Sequence, residues 1–307
     1  MTRRPKNLAR GLAIAGIGLV SLGIIAFPAV AQSTARAQSR VRAPNYYVSM
    51  GDSYSVGYQP GLGATAGYTA YVAHRSHLTL VNFGCAGATT TSILVTIGCP
   101  LTLPHTAGAI SYTATTQAAA AEAFIVAHRG HIGVITVSIG GNDVTACAVR
   151  SDPVACVANA VSLISENVTA LATGLRAAAG PRVPILGLTY PDVLLGAYVY
   201  PSIPPTAARI ALAKTSVVAF ESLLNPALAT AYRHAGGVLV DVTAATGAYG
   251  SLTRTVTLDP YGTIPVPVAR ICTLTWFCKQ GNIHATTQGY ALIGKLIAAR
   301  YASLRRT

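Results

Sequence analysis

Four residues that lie far apart in the chain have the types needed for nucleophilic attack and for holding the oxyanion it makes: Ser53, Gly87, Asn142 and His284. A serine hydroxyl is a weak nucleophile until a base takes its proton, and an imidazole suits that task because its pKa lies near working pH. Attack on a carbonyl makes a tetrahedral oxyanion, which needs donors already aimed at it. The backbone N–H groups of Ser53 and Gly87 and the side-chain amide of Asn142 would supply three. Plainer roles are open to the same stretches: Ser53 as a helix N-cap, Asp52 as a turn residue that braces the serine, Asp143 as a cap on the next helix or loop. His284 is the candidate base because, of seven histidines, it alone sits beside a helix start near the end of the chain. His74, His77, His105, His128, His131 and His234 read as structural or solvated.

These positions are worth connecting because of the elements that precede them. Short apolar runs at Tyr46–Met50, Thr79–Phe83, Ile132–Ile139, Val183–Leu188 and Val238–Val240 read as strands. Between them lie helical stretches: Tyr68–His77, the Ala-rich Thr115–Arg129, and Asp152–Ala179 with Asp152 as N-cap, Pro153 in the first turn and Gly180 as stop. Ala207–His234 reads as helical, bent or broken by Pro226, and Thr286–Ser303 as a final amphipathic helix. Residues 91–111 read as irregular and 243–283 as a long loop region. Alternation of this kind builds a mostly parallel sheet between helical layers, an α/β fold with about five strands. Ligands in such folds bind at the carboxyl ends of the strands. Ser53, Gly87 and Asn142 each fall just past a strand end, and His284 in the last loop, so all four converge on one sheet edge.

Composition narrows the setting. The net charge is +13, of which Arg3, Arg4, Lys6 and Arg10 contribute four, leaving +9 after residue 31. No compact basic and aromatic motif accompanies that charge, so nucleic acid is not an expected partner. A basic exterior is instead compatible with peripheral contact at an anionic cell envelope. The basic start is followed by the apolar Gly11–Phe27, a break at Pro28 and the small-residue site Ala29-Val30-Ala31, the layout of an export signal. Residues 1–31 are therefore expected to be a signal peptide, with an uncleaved anchor as the competing reading. Residues 32–44 read as a flexible linker and 45–307 as one domain; no later stretch reads as a transmembrane helix. Cys85, Cys99, Cys147, Cys156, Cys272 and Cys278 all lie beyond the signal, and an even count in an exported protein suggests disulfides. Nearest-neighbour pairing, Cys85–Cys99, Cys147–Cys156 and Cys272–Cys278, is the expectation, although connectivity does not follow from spacing alone. Metal ligation is disfavoured by the absence of a short Cys-x2-Cys spacing. No phosphate loop or dinucleotide fingerprint is present, so no cofactor is expected.

Gly51-Asp52-Ser53-Tyr54-Ser55-Val56-Gly57 resembles the first block of the SGNH (GDSL-type) hydrolases. Gly87 in Cys85-Ala86-Gly87-Ala88-Thr89 is similar to the second block, Gly140-Gly141-Asn142-Asp143 to the third, and His284 to the histidine of the last. Each motif alone is weak; four in the right order are specific. The resemblance implies a flavodoxin-like three-layer α/β/α domain and ester hydrolysis by the serine, with Ser53, Gly87 and Asn142 as oxyanion hole. It is nearest to secreted actinobacterial esterases and lipases of that family. The substrate implied is an acyl ester or lipid, and the chain is expected to act as a monomer. The family's last block usually reads Asp-x-x-His, whereas here it is Gly281-Asn282-Ile283-His284. Something must still hold the imidazole in the right tautomer. A backbone carbonyl of the 276–282 loop, giving a Ser-His dyad, is the leading expectation; Asn282, Asp241 and Asp259 are the alternatives.

The Gly-x-Ser-x-Gly elbow of α/β-hydrolases is absent around Ser53. The Gly57–Gly67 stretch and the Tyr198/Tyr200/Pro201 loop would line an acyl pocket or form ordinary surface loops. Asn167-Val168-Thr169 fits a glycosylation sequon but falls within a helical stretch. Two other functions remain open: a polysaccharide deacetylase or phospholipase on the same scaffold, and a silent envelope-binding module, favoured by the missing acid.

Overall fold

The alternation of apolar runs and helical stretches folds as one central parallel sheet in the computed structural model, which describes residues 44–306. The expected signal peptide and all of the expected linker except Pro44 lie outside the described residues. Five strands form the sheet: β1 (Tyr46–Gly51), β2 (Thr79–Asn82), β3 (Ile132–Ser138), β4 (Ile185–Leu188) and β5 (Val238–Val240). Their spatial order is β2-β1-β3-β4-β5, with every neighbouring pair parallel. The order reverses at β1, so the crevice beyond the carboxyl ends of β1 and β3 is the natural ligand position.

Both faces of the sheet are covered. Along β1 and β3, Val48, Met50, Ile135 and Val137 turn to one core, while Tyr47 and Val134 turn to the other. This is the two-residue period of a strand read in three dimensions. Helices Gln117–Ala127, Pro153–Ala179 and Asn225–His234 close the first core; Gly67–Ser76 and Thr287–Leu304 close the second. The Pro153–Ala179 helix starts where the Asp152 carboxylate accepts the Ala155 N–H at 2.9 Å, and it ends at Gly180. Contrary to expectation, it is long and apolar enough to cross a membrane by length and composition. In the fold it packs Ile164, Val168, Leu171 and Leu175 into the first core.

Two regions differ further from expectation. Ala207–His234 is not broken: helix Ala207–Val218 passes through a π-helical turn, Ala219–Leu224, directly into Asn225–His234. Pro226 has no N–H to give, and the wider turn before it absorbs the mismatch. Residues 243–283 are not a loop. They contain a hairpin, Thr255–Leu258 with Gly262–Pro265, and a helix, Val266–Leu274. Pro265 and Pro267 disguise that helix, yet prolines at a first turn cost it no hydrogen bond. Cys85–Cys99, Cys147–Cys156 and Cys272–Cys278 are disulfide-bonded, each tying a loop at the sheet's carboxyl edge or its flank.

Candidate active site

The serine turn is held from three sides. Strand β1 ends at Gly51, whose φ of 128° suits glycine, and a Cβ there would collide with the Ser138 carbonyl oxygen. Gln117 clamps the same residue: its Oε1 accepts the Gly51 N–H at 2.7 Å and its Nε2 donates to the Gly51 carbonyl at 3.1 Å. Asp52, and not Ser53, is the N-cap of the short helix Ser53–Val56, its Oδ1 accepting the Tyr54 N–H at 2.9 Å. The other carboxylate oxygen accepts the Tyr190 hydroxyl at 2.6 Å. Burial pushes the Asp52 carboxyl up to about 7, against the two hydrogen bonds, which favour its charged form.

Ser53 and His284 meet across this turn: Oγ lies 2.8 Å from His284 Nε2. On the far side of the ring, Nδ1 lies 2.8 Å from Asn282 Oδ1. That oxygen also accepts the His284 backbone N–H at 3.1 Å. A main-chain N–H can only donate, so the amide's oxygen, not its NH2, faces the ring. Nδ1 therefore carries the proton and Nε2 is left free to accept one from Ser53. The orienting group is a side-chain amide two residues upstream, an Asx-type turn, where a backbone carbonyl was the leading expectation. Asp241 instead caps the turn Val242–Ala245, and Asp259 is exposed in the hairpin's turn.

The imidazole is also desolvated. Tyr54 stacks on it with centroids 5.9 Å apart, and Tyr58 meets it edge-on at 4.5 Å. The Tyr54 hydroxyl donates to the Ile283 carbonyl at 2.6 Å, pinning the histidine's loop to the serine's helix. With no carboxylate beside it, burial pulls His284 down to about 4. Neither these tyrosines nor Gln117 stand out in the sequence, because nothing in their spacing signals a contact that only the fold creates.

The three expected donors share the same edge. The N–H groups of Ser53 and Gly87 meet no acceptor among the described residues. Asn142 Nδ2 donates one hydrogen to the Ala88 carbonyl at 2.9 Å, which fixes its amide and leaves the second hydrogen free. Asp143 has a bracing role rather than a capping one: it accepts both the N–H and the hydroxyl of Thr90, the latter at 2.6 Å, and so ties the Gly87 turn to the Asn142 turn. Beside Ser53 opens a cavity of about 300 Å³, walled mainly by Val144, Val149, Val193, Leu212, Phe277 and Ile283. Neither Gly57–Gly67 nor Tyr198, Tyr200 and Pro201 line it. No group of His, Cys, Asp and Glu suited to a metal occurs among the described residues.

A serine hydrogen-bonded to a tautomer-fixed imidazole, beside free N–H donors and an apolar cavity, is equipped for acyl transfer. No curated protein matches the chain in sequence. Among solved structures, an extracellular lipase from Streptomyces rimosus is similar, at 17% identity and TM-score 0.51, over 84% of this chain and 99% of that one. A phospholipase A1 from Streptomyces albidoflavus is 20% identical over 66% of this chain and 82% of its own, with TM-score 0.44. An acetyl xylan esterase from Geobacillus stearothermophilus is 13% identical over 84% and 95%, with TM-score 0.43. At such identities a likeness speaks for the fold alone, but the family match is one of sequence: residues 49–292 fit the GDSL-like lipase/acylhydrolase family, a span that holds Ser53, Gly87, Asn142, Asn282 and His284. The chain is therefore a member of the GDSL-like lipase/acylhydrolase family of hydrolases.

Proposed function

We propose that the protein is an exported carboxylic ester hydrolase that works through a Ser53 acyl-enzyme. The observation that carries this reading is the continuous chain Ser53 Oγ–His284 Nε2 and His284 Nδ1–Asn282 Oδ1, each link 2.8 Å long. Ser53 attacks the ester carbonyl while its proton passes to Nε2. The oxyanion accepts hydrogen bonds from the N–H groups of Ser53 and Gly87 and from Asn142 Nδ2. Collapse expels the alkoxide, which takes the proton back from Nε2, and a water repeats the sequence to release the acid and restore the serine. His284 becomes a cation in a desolvated site stabilised only by an amide dipole. The arrangement is thus a Ser-His-Asn set rather than a dyad on a backbone carbonyl.

The apolar cavity beside Ser53 favours an acyl group longer than acetate, which supports an esterase or lipase over a polysaccharide deacetylase. The three disulfides fit an oxidising compartment outside the cytoplasm. Hydrolysis of p-nitrophenyl esters from acetate to palmitate by the protein and by Ser53→Ala tests the reading, together with fluorophosphonate labelling. Activity and labelling that vanish in Ser53→Ala are expected. A protein that neither turns over nor is labelled would instead be the silent envelope-binding module, the one reading that the absent carboxylate at His284 favours.

A further inference from the structure

Residues 76–121 contain no Asp, Glu, Lys or Arg, although the chain as a whole carries a net charge of +13. This uncharged stretch includes the Gly87 turn and the segment after it. There, Val95, Ile97 and Leu101 are 64%, 61% and 58% exposed. Three branched side chains standing in water with no charge nearby in the sequence are unusual on a monomer unless something covers them. The Cys85–Cys99 disulfide holds the segment against the Gly87 turn, and Leu101 Cδ1 lies 3.2 Å from where a Cβ on Gly87 would be. Across the site Val149 is 87% exposed and stands in the wall of the Ser53 cavity. The hydrogen bond from Asn142 Nδ2 to the Ala88 carbonyl joins the two flanks. Exposed Leu101, against the Gly87 turn, and Val149, in the cavity wall, therefore flank the approach to Ser53, and Val95 and Ile97 belong to the same tethered segment as Leu101.

Two arginines stand beside this cavity, while the nearby Asp152 is committed as the cap of helix Pro153–Ala179. Arg209 is part of the cavity wall and Arg150 is the next residue after Val149; neither guanidinium has a partner among the described residues. The carboxylates of the Ser53 and Asn142 turns are committed, Asp52 to Tyr190 and Tyr54, Asp143 to Thr90. A soluble ester would use the cavity but has no use for an apolar rim outside it. An aggregated amphiphile presents both an apolar layer for the rim and anionic headgroups for the arginines.

We propose that Val95, Ile97, Leu101 and Val149 form a docking surface for an anionic lipid–water interface, with Arg150 and Arg209 meeting its headgroups, so that the ester enters the Ser53 cavity from the lipid. This rests on the esterase reading of Ser53. The test compares the full chain with its Val95→Ser/Ile97→Ser variant, so that the shared N-terminal segment cancels. Both substituted side chains are exposed and outside the cavity wall. Binding to vesicles of phosphatidylglycerol and phosphatidylcholine is measured by flotation, and hydrolysis on p-nitrophenyl butyrate below its solubility limit.

About a tenfold or greater loss of vesicle binding in the variant is expected, from the apolar surface removed from the contact. Rates on the soluble ester should stay within about twofold. Binding by the parent should also weaken when phosphatidylglycerol is omitted or salt is raised. Equal vesicle binding by parent and variant overturns the proposal, as does a parent that hydrolyses the soluble ester but does not bind vesicles. Vesicle binding lost in the variant, with no ester hydrolysis by either protein, would sustain the docking surface and sink the esterase reading instead.

Discussion

Replacing Asn282 by aspartate should move the acid limb of the pH–rate profile upward. Burial holds His284 at about 4, and its Nδ1 faces the Asn282 oxygen at 2.8 Å. A carboxylate in the amide's place puts a full negative charge about 4 Å from the imidazolium's centre of charge, an attraction of about 4 kcal/mol at an effective dielectric constant near 20. That corresponds to roughly 3 pKa units. Position 282 is only partly buried, so solvent screening and the carboxylate's own desolvation take back some of this, leaving about 1–2 units. The sign follows from the mechanism: protonated His284 cannot accept the serine's proton, so kcat/KM falls as pH drops through its pKa. The parent should stay active down to about pH 4–5, while Asn282→Asp should lose activity about 1–2 units higher, with a plateau no lower than the parent's. The assay is kcat/KM for a short p-nitrophenyl ester between about pH 3.5 and 8, read after a stability check at each pH. Asn282→Leu is the companion variant. It strips the acceptor from two N–H donors and frees the tautomer, so kcat should drop about a hundredfold with little change in KM. Superimposable profiles for Asn282→Asp and the parent would contradict this, because residue 282 could then not be facing Nδ1 in the working enzyme.

Three other perturbations probe the scaffold around the site. Gln117→Leu leaves the buried Gly51 N–H without an acceptor, so stability should fall by about 1–3 kcal/mol in urea unfolding; an unchanged midpoint would show that the clamp is idle. Burial raises Asp192 to about 7, and its Oδ1 has no hydrogen-bond partner. A carboxyl raised in the folded state contributes stability that is present below about pH 4 and lost as pH rises through about 7. Asp192→Asn should therefore flatten the decline in Tm across that window; identical slopes would rule the group out. Removing the Cys85–Cys99 bond as Cys85→Ser/Cys99→Ser should cost about 2–4 kcal/mol by chain-entropy reasoning, and should lower kcat more than it raises KM, because the bond holds the Gly87 turn. A variant of parental stability and kcat would show that the loop needs no tether.

Much of this protein is legible in its sequence because the informative signals are local. Ile132–Ser138 declares a buried strand by its own composition, Asp152-Pro153 and Gly180 punctuate a helix, and each glycine turn after a strand marks the sheet's carboxyl edge. Ser53, Gly87 and Asn142 were reachable because each stands at such a boundary, and the topology of a parallel sheet sends those boundaries to one edge whatever the packing in between; His284 was reachable from its place just before the last helix. The contacts that hold them in working geometry join residues distant in sequence. Gln117 meets Gly51 across 66 residues, Tyr54 meets Ile283 across 229, and Tyr190 meets Asp52 across 138. The choice of Asn282 over a main-chain carbonyl turned on a single oxygen shared by two donors of His284. A sequence carries no record of such distances; they exist only once the apolar faces of the helices have closed over the sheet and set every loop in place.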